Sequence, residues 1–156
     1  MIEIYYPDNN DDIASVRALF IEYAASLNLD LSYQGFEKEL EELPGCYAPP
    51  SGYLLIAKAG HIAAGCVAIR KIDEHCCEMK RLYIPPQYRG QKIGKQMVIA
   101  IINKAKELDY RTLKLDTRRS MKEAVNLYES LGFRETGAYE YSPVDDAVFF
   151  ELILKE

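Results

Sequence analysis

The fold of this 156-residue chain is decided by the stretch Cys77-Glu78-Met79-Lys80-Arg81-Leu82-Tyr83-Ile84-Pro85-Pro86-Gln87-Tyr88-Arg89-Gly90-Gln91-Lys92-Ile93-Gly94-Lys95. It reads as a buried strand, a short turn bounded by prolines, a loop with glycine and lysine, and the start of a helix. The first turn of a helix has backbone N–H groups without intrahelical partners, and here cationic side chains lie beside them. This order of elements predicts a phosphate-binding site where the loop enters the helix.

The length and composition fit one domain, residues 1–156. Charged residues make up 28% and hydrophobic residues 49% of the chain, an ordinary globular balance. No apolar run reaches the roughly 18 residues of a membrane span. Residues 1–6 lack the basic start of a signal peptide and resemble a first strand. We therefore expect a cytoplasmic protein that does not contact membranes.

Cysteine and histidine are too few and too scattered to indicate a metal site. The chain has four cysteines and two histidines, with no CxxC pair. Structural zinc sites use such closely spaced pairs. We predict no metal and four reduced thiols, at Cys46, Cys66, Cys76 and Cys77, that mostly fill the core.

Charge is distributed unevenly along the chain, whose net charge is −5. Residues 1–45 are strongly acidic, whereas residues 78–97 carry five cations against Glu78 alone. A single basic loop is too small for nucleic acid, which needs a broad basic face, but suits one small polyanion. The acidic half is either an ordinary solvated surface or a surface that attracts a cationic amine.

Apolar periodicity and turn residues predict an α+β fold. Residues 62–69 are almost continuously apolar, which indicates a strand buried on both faces. A second short helix is expected to begin at a Ser32 cap and to end at Pro44-Gly45. The other predicted helices are 11–27, 91–109 and 121–130, and the predicted strands are 2–6, 53–58, 62–69, 76–84, 112–116, 134–141 and 147–154.

The loop resembles the acyl-CoA-binding motif of the GNAT superfamily, the acyl-CoA-dependent N-acyltransferases. That motif is Gln/Arg-x-x-Gly-x-Gly/Ala after a strand, and residues 89–94 read Arg-Gly-Gln-Lys-Ile-Gly. Lys92 replaces the first family glycine, so we expect its backbone to avoid positive φ. A nucleotide-binding P-loop fits poorly, because Gly90 and Gly94 are one residue too close. A plain strand-to-helix turn with surface lysines remains the alternative.

A second stretch resembles another signature of that family. Residues 124–133 read Ala-Val-Asn-Leu-Tyr-Glu-Ser-Leu-Gly-Phe, similar to Ala-x-x-x-Tyr-x-x-x-Gly-Phe. Met121 stands where the family often has an asparagine that contacts the cofactor. The resemblance covers nearly the whole chain. It implies a mixed, mostly antiparallel sheet of six to seven strands, flanked by about four helices and splayed at the strand that precedes the loop.

The resemblance also implies acetyl-CoA as cofactor and a set of residues that bind it. The pantetheine arm would pair with the backbone of Leu82, Tyr83 and Ile84, and a backbone N–H near Leu82 would polarise the thioester carbonyl. The diphosphate would lie on the loop and helix start, at Arg89, Gly90, Gln91, Lys92, Ile93, Gly94 and Lys95.

Acetyl transfer to an amine needs a base and an acid. A lysine-type ammonium has a pKa of about 10.4, so a proton must be removed before attack. Glu78 matches a catalytic glutamate of some family members; its alternative is a structural carboxylate paired with Lys80 or Arg81. Tyr128 matches the family's general acid; its alternative is a core aromatic. Substrate contacts are expected from Tyr23, Tyr33, Arg81, Tyr139 and Tyr141.

The sequence thus favours an N-acetyltransferase that moves an acetyl group to a primary amine of a small molecule or peptide by direct transfer in a ternary complex. A covalent route through Cys76 or Cys77, which flank Glu78, stays open. The rival functions are a CoA-binding regulatory or sensor protein without turnover and a nucleotide-binding protein. The closing strands suit a homodimer, and no nucleic-acid partner is expected.

Overall fold

The computed structural model describes residues 1–27, 31 and 35–155. Within these residues, seven strands form one open sheet in the order β1-β2-β3-β4-β5-β7-β6. Their bounds are β1 Ile2–Tyr5, β2 Tyr53–Ala59, β3 Ile62–Lys71, β4 Cys76–Tyr83, β5 Thr112–Arg118, β6 Arg134–Thr136 and β7 Ala147–Ile153. Neighbouring strands of this described sheet are antiparallel except β4 and β5, which confirms the predicted mixed, mostly antiparallel α+β architecture.

Four α-helices flank the sheet in the described part of the chain. They are α1 Asn10–Leu27, α2 Phe36–Glu42, α3 Ile93–Glu107 and α4 Lys122–Ser130. The side chain of Asn9 caps α1, since its Oδ1 accepts a hydrogen bond of 2.8 Å from the N–H of Asp12. The predicted cap of α2, Ser32, lies outside the described residues. None of the described helices is long and apolar enough to span a membrane.

The sheet is buried on both faces, as the apolar run in β3 predicts. Val67 and Ile69 pack in one cluster with α3, whereas Cys66 and Ala68 pack in another with α1. The same alternation holds in β2. Each large side chain buried in this way contributes roughly 1.5–3 kcal/mol. The central strands are therefore held firmly by packing on both faces, next to the place where β4 and β5 diverge.

The sheet opens between β4 and β5. Their described parallel register covers three residue pairs, from Cys76 with Thr112 to Glu78 with Lys114. Beyond these pairs, β4 continues along β3 to Tyr83, and β5 continues along β7 to Arg118. The two strands diverge, which confirms the predicted splay and leaves a strand edge on each side of the gap.

A β-bulge interrupts β4 inside the splay. Ala68 pairs with Lys80 and Cys66 pairs with Tyr83, so two residues of β3 advance against three of β4. Arg81 lies in this bulge with φ 62°, a left-handed conformation that is uncommon outside glycine. No glycine marks the position, so the sequence carries no local signal for the bulge.

The predicted strand 134–141 is too long. Strand β6 ends at Thr136, and residues 137–146 form an irregular connection to β7. Consecutive side chains of a strand point to opposite faces, but Tyr139 and Glu140 both reach the same charged cluster, where they meet Glu78 and Arg70. This connection, residues 137–146, is called the β6–β7 loop below.

Candidate active site

A cavity of about 130 Å³ lies where β4 and β5 diverge. Both strands, α1, α4 and the β6–β7 loop contribute to its wall. The lining residues are Tyr23, Leu27, Leu31, Met79, Lys80, Arg81, Leu82, Leu115, Asp116, Thr117, Arg118, Met121, Ala124, Tyr128, Ser142, Val144 and Ala147. Most of this wall is apolar, so the few polar groups that face it determine its chemistry.

Tyr128 enters the cavity wall from α4. Its ring packs 5.7 Å from the ring of Phe133 and 6.5 Å from that of Phe150, which holds the side chain in place. Burial raises the pKa of the phenol above its ordinary value of 10.0, with further contributions from Tyr23 and the charge of Asp116. The hydroxyl is therefore neutral at physiological pH and carries a proton that it can donate.

Asp116 reaches the same cavity from β5. Leu113 and Leu115 pack in the α3 cluster, so the alternation of β5 turns Asp116 to the other face of the sheet. Burial raises the pKa of its carboxyl, and the nearby positive charge of Lys80 partly offsets this. Asp116 was not among the predicted site residues, although it lies on the polar side of a predicted strand, twelve positions before Tyr128.

Glu78 is fully buried and held by hydrogen bonds. Arg70 donates from Nε to Oε1 at 2.8 Å, and the Tyr139 hydroxyl donates to Oε2 at 2.8 Å. Burial opposes ionisation, but the charge of Lys80, hydrogen bonds from Glu140 and Tyr139, and the charge of Arg70 outweigh it and lower the pKa of Glu78. Lys80 and Asp116 line the cavity, whereas Glu78 is not among the lining residues and lies behind them.

Glu140 joins Glu78 and Asp116 in a cluster of three carboxyl groups. One oxygen of each lies within 4.8 Å of the others. Burial raises the pKa of Glu140 to about 7, and its hydrogen bond to Glu78 adds to this. The cluster is balanced by Arg70, whose Nη2 lies 3.5 Å from Glu140 Oε2, and by Lys80, which is 7% exposed. Burial lowers the pKa of Lys80.

The loop before α3 is open to solvent. Residues 89–92 are exposed, and the first helical hydrogen bond runs from the N–H of Gln96 to the carbonyl of Lys92 at 3.1 Å. The N–H groups of the preceding helical residues, Ile93, Gly94 and Lys95, therefore have no partner within the helix. An anion at this helix start can accept hydrogen bonds from them.

The expectation that Lys92 avoids positive φ is wrong. Lys92 has φ 64° and ψ 19°, the left-handed conformation that a glycine would favour. A non-glycine residue in this conformation costs roughly 1–2 kcal/mol. The loop thus places a cationic side chain at a position whose backbone conformation glycine favours. Gly90, with φ 83°, supplies the other left-handed residue of the loop.

Arg89 folds back along β4. Its Nε donates to the carbonyl of Ile84 at 2.9 Å, and its guanidinium lies 5.8 Å from the centre of the Tyr83 ring. The outer guanidinium nitrogens remain at the protein surface, next to the loop. Arg89 therefore ties the end of β4 to the loop and places a positive charge between them.

Of the predicted substrate residues, Tyr23 and Arg81 line the cavity. The guanidinium of Arg81 makes two hydrogen bonds of 2.9 Å to the carboxylate of Glu39 and lies between the rings of Tyr23 and Phe36. These contacts fix α2 against β4. Arg81 therefore shapes the cavity wall while its charge is neutralised by Glu39.

Tyr139 and Tyr141, two further predicted substrate residues, are not among the residues that line the cavity. Tyr139 binds Glu78, and its ring packs 5.3 Å from that of Phe149. Tyr141 is 74% exposed on the β6–β7 loop, while its neighbour Ser142 lines the cavity. Tyr33 lies outside the described residues. Substrate contact by these tyrosines stays a prediction.

Comparison with known proteins agrees with this arrangement. The model of the acetyltransferase (GNAT) family matches residues 15–133. An uncharacterized N-acetyltransferase of Schizosaccharomyces pombe is 38% identical over 143 residues, which cover 90% of this chain and 88% of that protein.

Solved structures show the same fold. A GNAT acetyltransferase from Staphylococcus aureus Mu50 superposes with a TM-score of 0.82 at 21% identity, covering 99% of this chain and 100% of that one. The PaiA N-acetyltransferase of Thermoplasma acidophilum, in complex with coenzyme A, gives a TM-score of 0.73 at 20% identity, covering 98% and 99%. The chain therefore belongs to the GNAT family and is an acetyltransferase.

Proposed function

We propose that this protein transfers an acetyl group from acetyl-CoA to a primary amine of a small molecule or peptide, directly and within a ternary complex. The observation that carries the proposal is the shared cavity at the splay, which Tyr128 and Asp116 both line. One of these groups can donate a proton and the other can accept one. Direct acetyl transfer needs both functions at the same place.

The residues around the splay fit acetyl-CoA, which would supply the thioester. The exposed loop offers the N–H groups of Ile93, Gly94 and Lys95 and the cationic side chains of Lys92 and Lys95 for the diphosphate and 3′-phosphate. The edge of β4 that faces away from β3 offers backbone groups around Leu82 to the amides of the pantetheine arm.

Tyr128 is proposed to protonate the departing thiolate. A thiol has an ordinary pKa near ~8.5, below that of a phenol at about 10, so the phenol gives up its proton in the same step as the carbon–sulfur bond breaks and is then reprotonated. The raised pKa of Tyr128 keeps the phenol protonated until that moment. Its rigid packing against Phe133 and Phe150 would hold the hydroxyl at one position in the cavity.

The base that deprotonates the amine was predicted to be Glu78, through a water. In the structure, Asp116 is the carboxylate that faces the cavity, and Glu78 lies directly behind it. We propose that Asp116 accepts the proton from the amine and that Glu78 acts through Asp116. The raised pKa of Asp116 brings its basicity closer to that of the amine than an ordinary aspartate would.

A covalent route through cysteine has little support in the structure. All four cysteines are free, and no cysteine is among the described residues that line the cavity. Burial raises the pKa of both Cys76 and Cys77, which disfavours the nucleophilic thiolate. We therefore propose transfer without an acyl-enzyme.

The test is thiol release from acetyl-CoA by purified protein with a panel of primary amines, including α-amino peptides and diamines. We expect release above the background rate with at least one class of amine, and one acetyl group on the amine for each thiol formed. Calorimetric titration with CoA measures binding separately. Tight CoA binding without release by any amine would contradict the enzyme and support the sensor.

A further inference from the structure

The three carboxyl groups of the cluster connect the cavity with the protein surface. Asp116 lines the cavity, Glu78 is completely buried, and the side chain of Glu140 is 26% exposed to solvent. One oxygen of each lies within 4.8 Å of the others, a separation that hydrogen bonds can bridge directly or through one water. The buried member therefore lies between one group that faces the cavity and one that faces solvent.

We propose that Asp116, Glu78 and Glu140 form a proton relay, in which the proton lost by the acceptor amine enters at Asp116 and leaves to solvent from Glu140. The proposal rests on the proposed acetyl transfer. It assigns a function to Glu140, which no signature of the sequence indicated, and it gives the buried Glu78 a task that does not require contact with substrate.

The proton balance of the reaction needs such an exit. An acceptor that arrives as an ammonium ion loses two protons when its nitrogen forms the bond to the acetyl carbon. One proton ends on the CoA sulfur, whose bond to carbon breaks, and Tyr128 supplies this proton and is then reprotonated. The other proton must reach bulk water in every turnover. The three carboxyl groups offer one such route, because they lead from the cavity wall to a side chain in contact with solvent.

The groups around the cluster are arranged to hold one shared proton. Arg70 of β3 forms ion pairs with both Glu78 and Glu140, and the positive charge of Lys80 of β4 acts on both Glu78 and Asp116. The Tyr139 hydroxyl donates to Glu78, and Lys114 of β5 lies 5.4 Å from the Tyr139 ring. These neighbours keep Glu78 ionised, while the pKa of Glu140 lies at about 7. Glu140 can thus exchange its proton with water near neutral pH.

Glu140 also fixes the β6–β7 loop, so its structural role must be separated from a relay role. Glu140→Gln keeps the size of the side chain and a hydrogen-bond donor toward Glu78, but it cannot release a proton. Glu140→Asp keeps an ionisable carboxyl at a shorter reach. Glu107→Gln, on an exposed side chain at the end of α3, removes one negative charge outside the cluster and is the matched control.

The experiment measures kcat against pH for the wild type and these variants, with an amine that supports thiol release, and adds imidazole as a proton acceptor at constant pH. For Glu140→Gln we expect kcat to fall by roughly tenfold or more. We also expect the ionisation near neutral pH to be lost and the rate to be restored in part by imidazole. Glu140→Asp should retain that ionisation, and Glu107→Gln should match the wild type.

The relay is overturned if Glu140→Gln keeps the wild-type kcat and pH profile, or if it loses activity that imidazole does not restore. The melting temperature of each variant identifies a folding defect; if Glu140→Gln is unfolded, Glu140→Asp carries the test, and loss of its neutral ionisation overturns the relay. If the wild type releases thiol and a variant gives one of these contradicting results, the relay is rejected and the proposed function is not. Absence of wild-type release with every amine rejects the proposed function together with the relay.

Discussion

Tyr128 and Asp116 face one cavity from opposite faces of the sheet. Tyr128 belongs to the α4 side, where its ring packs with Phe150, and Asp116 lies on the other face of β5 from Leu115. A continuous sheet would separate the two groups. The divergence of β4 and β5 after Glu78 removes that barrier, and the charge of Asp116 contributes to the raised pKa of Tyr128.

Asp116→Asn tests the proposed base. The amide has nearly the same size but cannot accept a proton, so we expect kcat/KM to fall by about 10²-fold or more. The loss should be greatest at low pH, where less of the amine is already neutral. Thr117→Ser, on the neighbouring cavity-lining residue, is a control for small changes in the wall. A pH–rate profile identical to that of the wild type would remove Asp116 from this role.

Glu78→Gln is expected to destabilise the protein as well as slow it. The substitution removes the buried carboxylate that accepts hydrogen bonds from Arg70 and Tyr139, which we expect to cost about 1–3 kcal/mol of unfolding free energy. The pKa of Glu78 is lower in the folded state than its ordinary 4.5, so its stabilisation is present above pH 4.5 and is lost as the pH falls through the folded value. Denaturant unfolding of both proteins at neutral and acid pH measures this. If the difference in unfolding free energy between the two proteins does not shrink at acid pH, the lowered pKa of Glu78 is contradicted.

Glu39→Gln tests the contact between α2 and the bulge of β4. Removing the charge leaves the buried guanidinium of Arg81 without its carboxylate, and we expect a loss of about 1–3 kcal/mol in stability. Because Arg81 lines the cavity, KM for the amine should also rise. Glu37→Gln, on the same helix, is the matched control. Equal stability and equal KM in the two variants would show that the ion pair does not shape the site.

Lys92→Gly and Lys92→Ala separate the charge of Lys92 from its backbone conformation. Both remove the cation, so both should weaken CoA binding and reduce its dependence on salt. Only glycine relieves the left-handed backbone, and we expect Lys92→Gly to be about 1 kcal/mol more stable than Lys92→Ala. Isothermal titration calorimetry at several salt concentrations measures CoA binding, and thermal unfolding measures the difference in stability. Equal stability would mean that φ at this position is not positive in solution.

The sequence was sufficient to predict the parts of the fold that depend on local pattern. The apolar run of β3 indicated burial on both faces, as the two hydrophobic clusters on either side of the sheet confirm. The splay followed from the family resemblance. Asp116 and Glu140 were missed because their importance comes from strand divergence and a loop that brings distant residues together.

Two further features lay beyond local pattern. The bulge at Arg81 depends on packing between β4, α1 and α2, and an arginine carries no signal for positive φ. Lys92 was expected to avoid positive φ because lysine, like arginine, has no intrinsic preference for it. In both cases tertiary contacts or the neighbouring helix outweigh the intrinsic preference of the residue.

The most direct test of the account is the turnover of Tyr128→Phe, measured together with its CoA affinity. Phenylalanine keeps the ring contacts with Phe133 and Phe150 but removes the proton donor from the cavity. We expect kcat to fall by roughly 10²-fold while the CoA dissociation constant changes little. Normal turnover in the variant, with wild-type CoA affinity, would contradict the proposal that acetyl transfer takes place at the splay beside Tyr128.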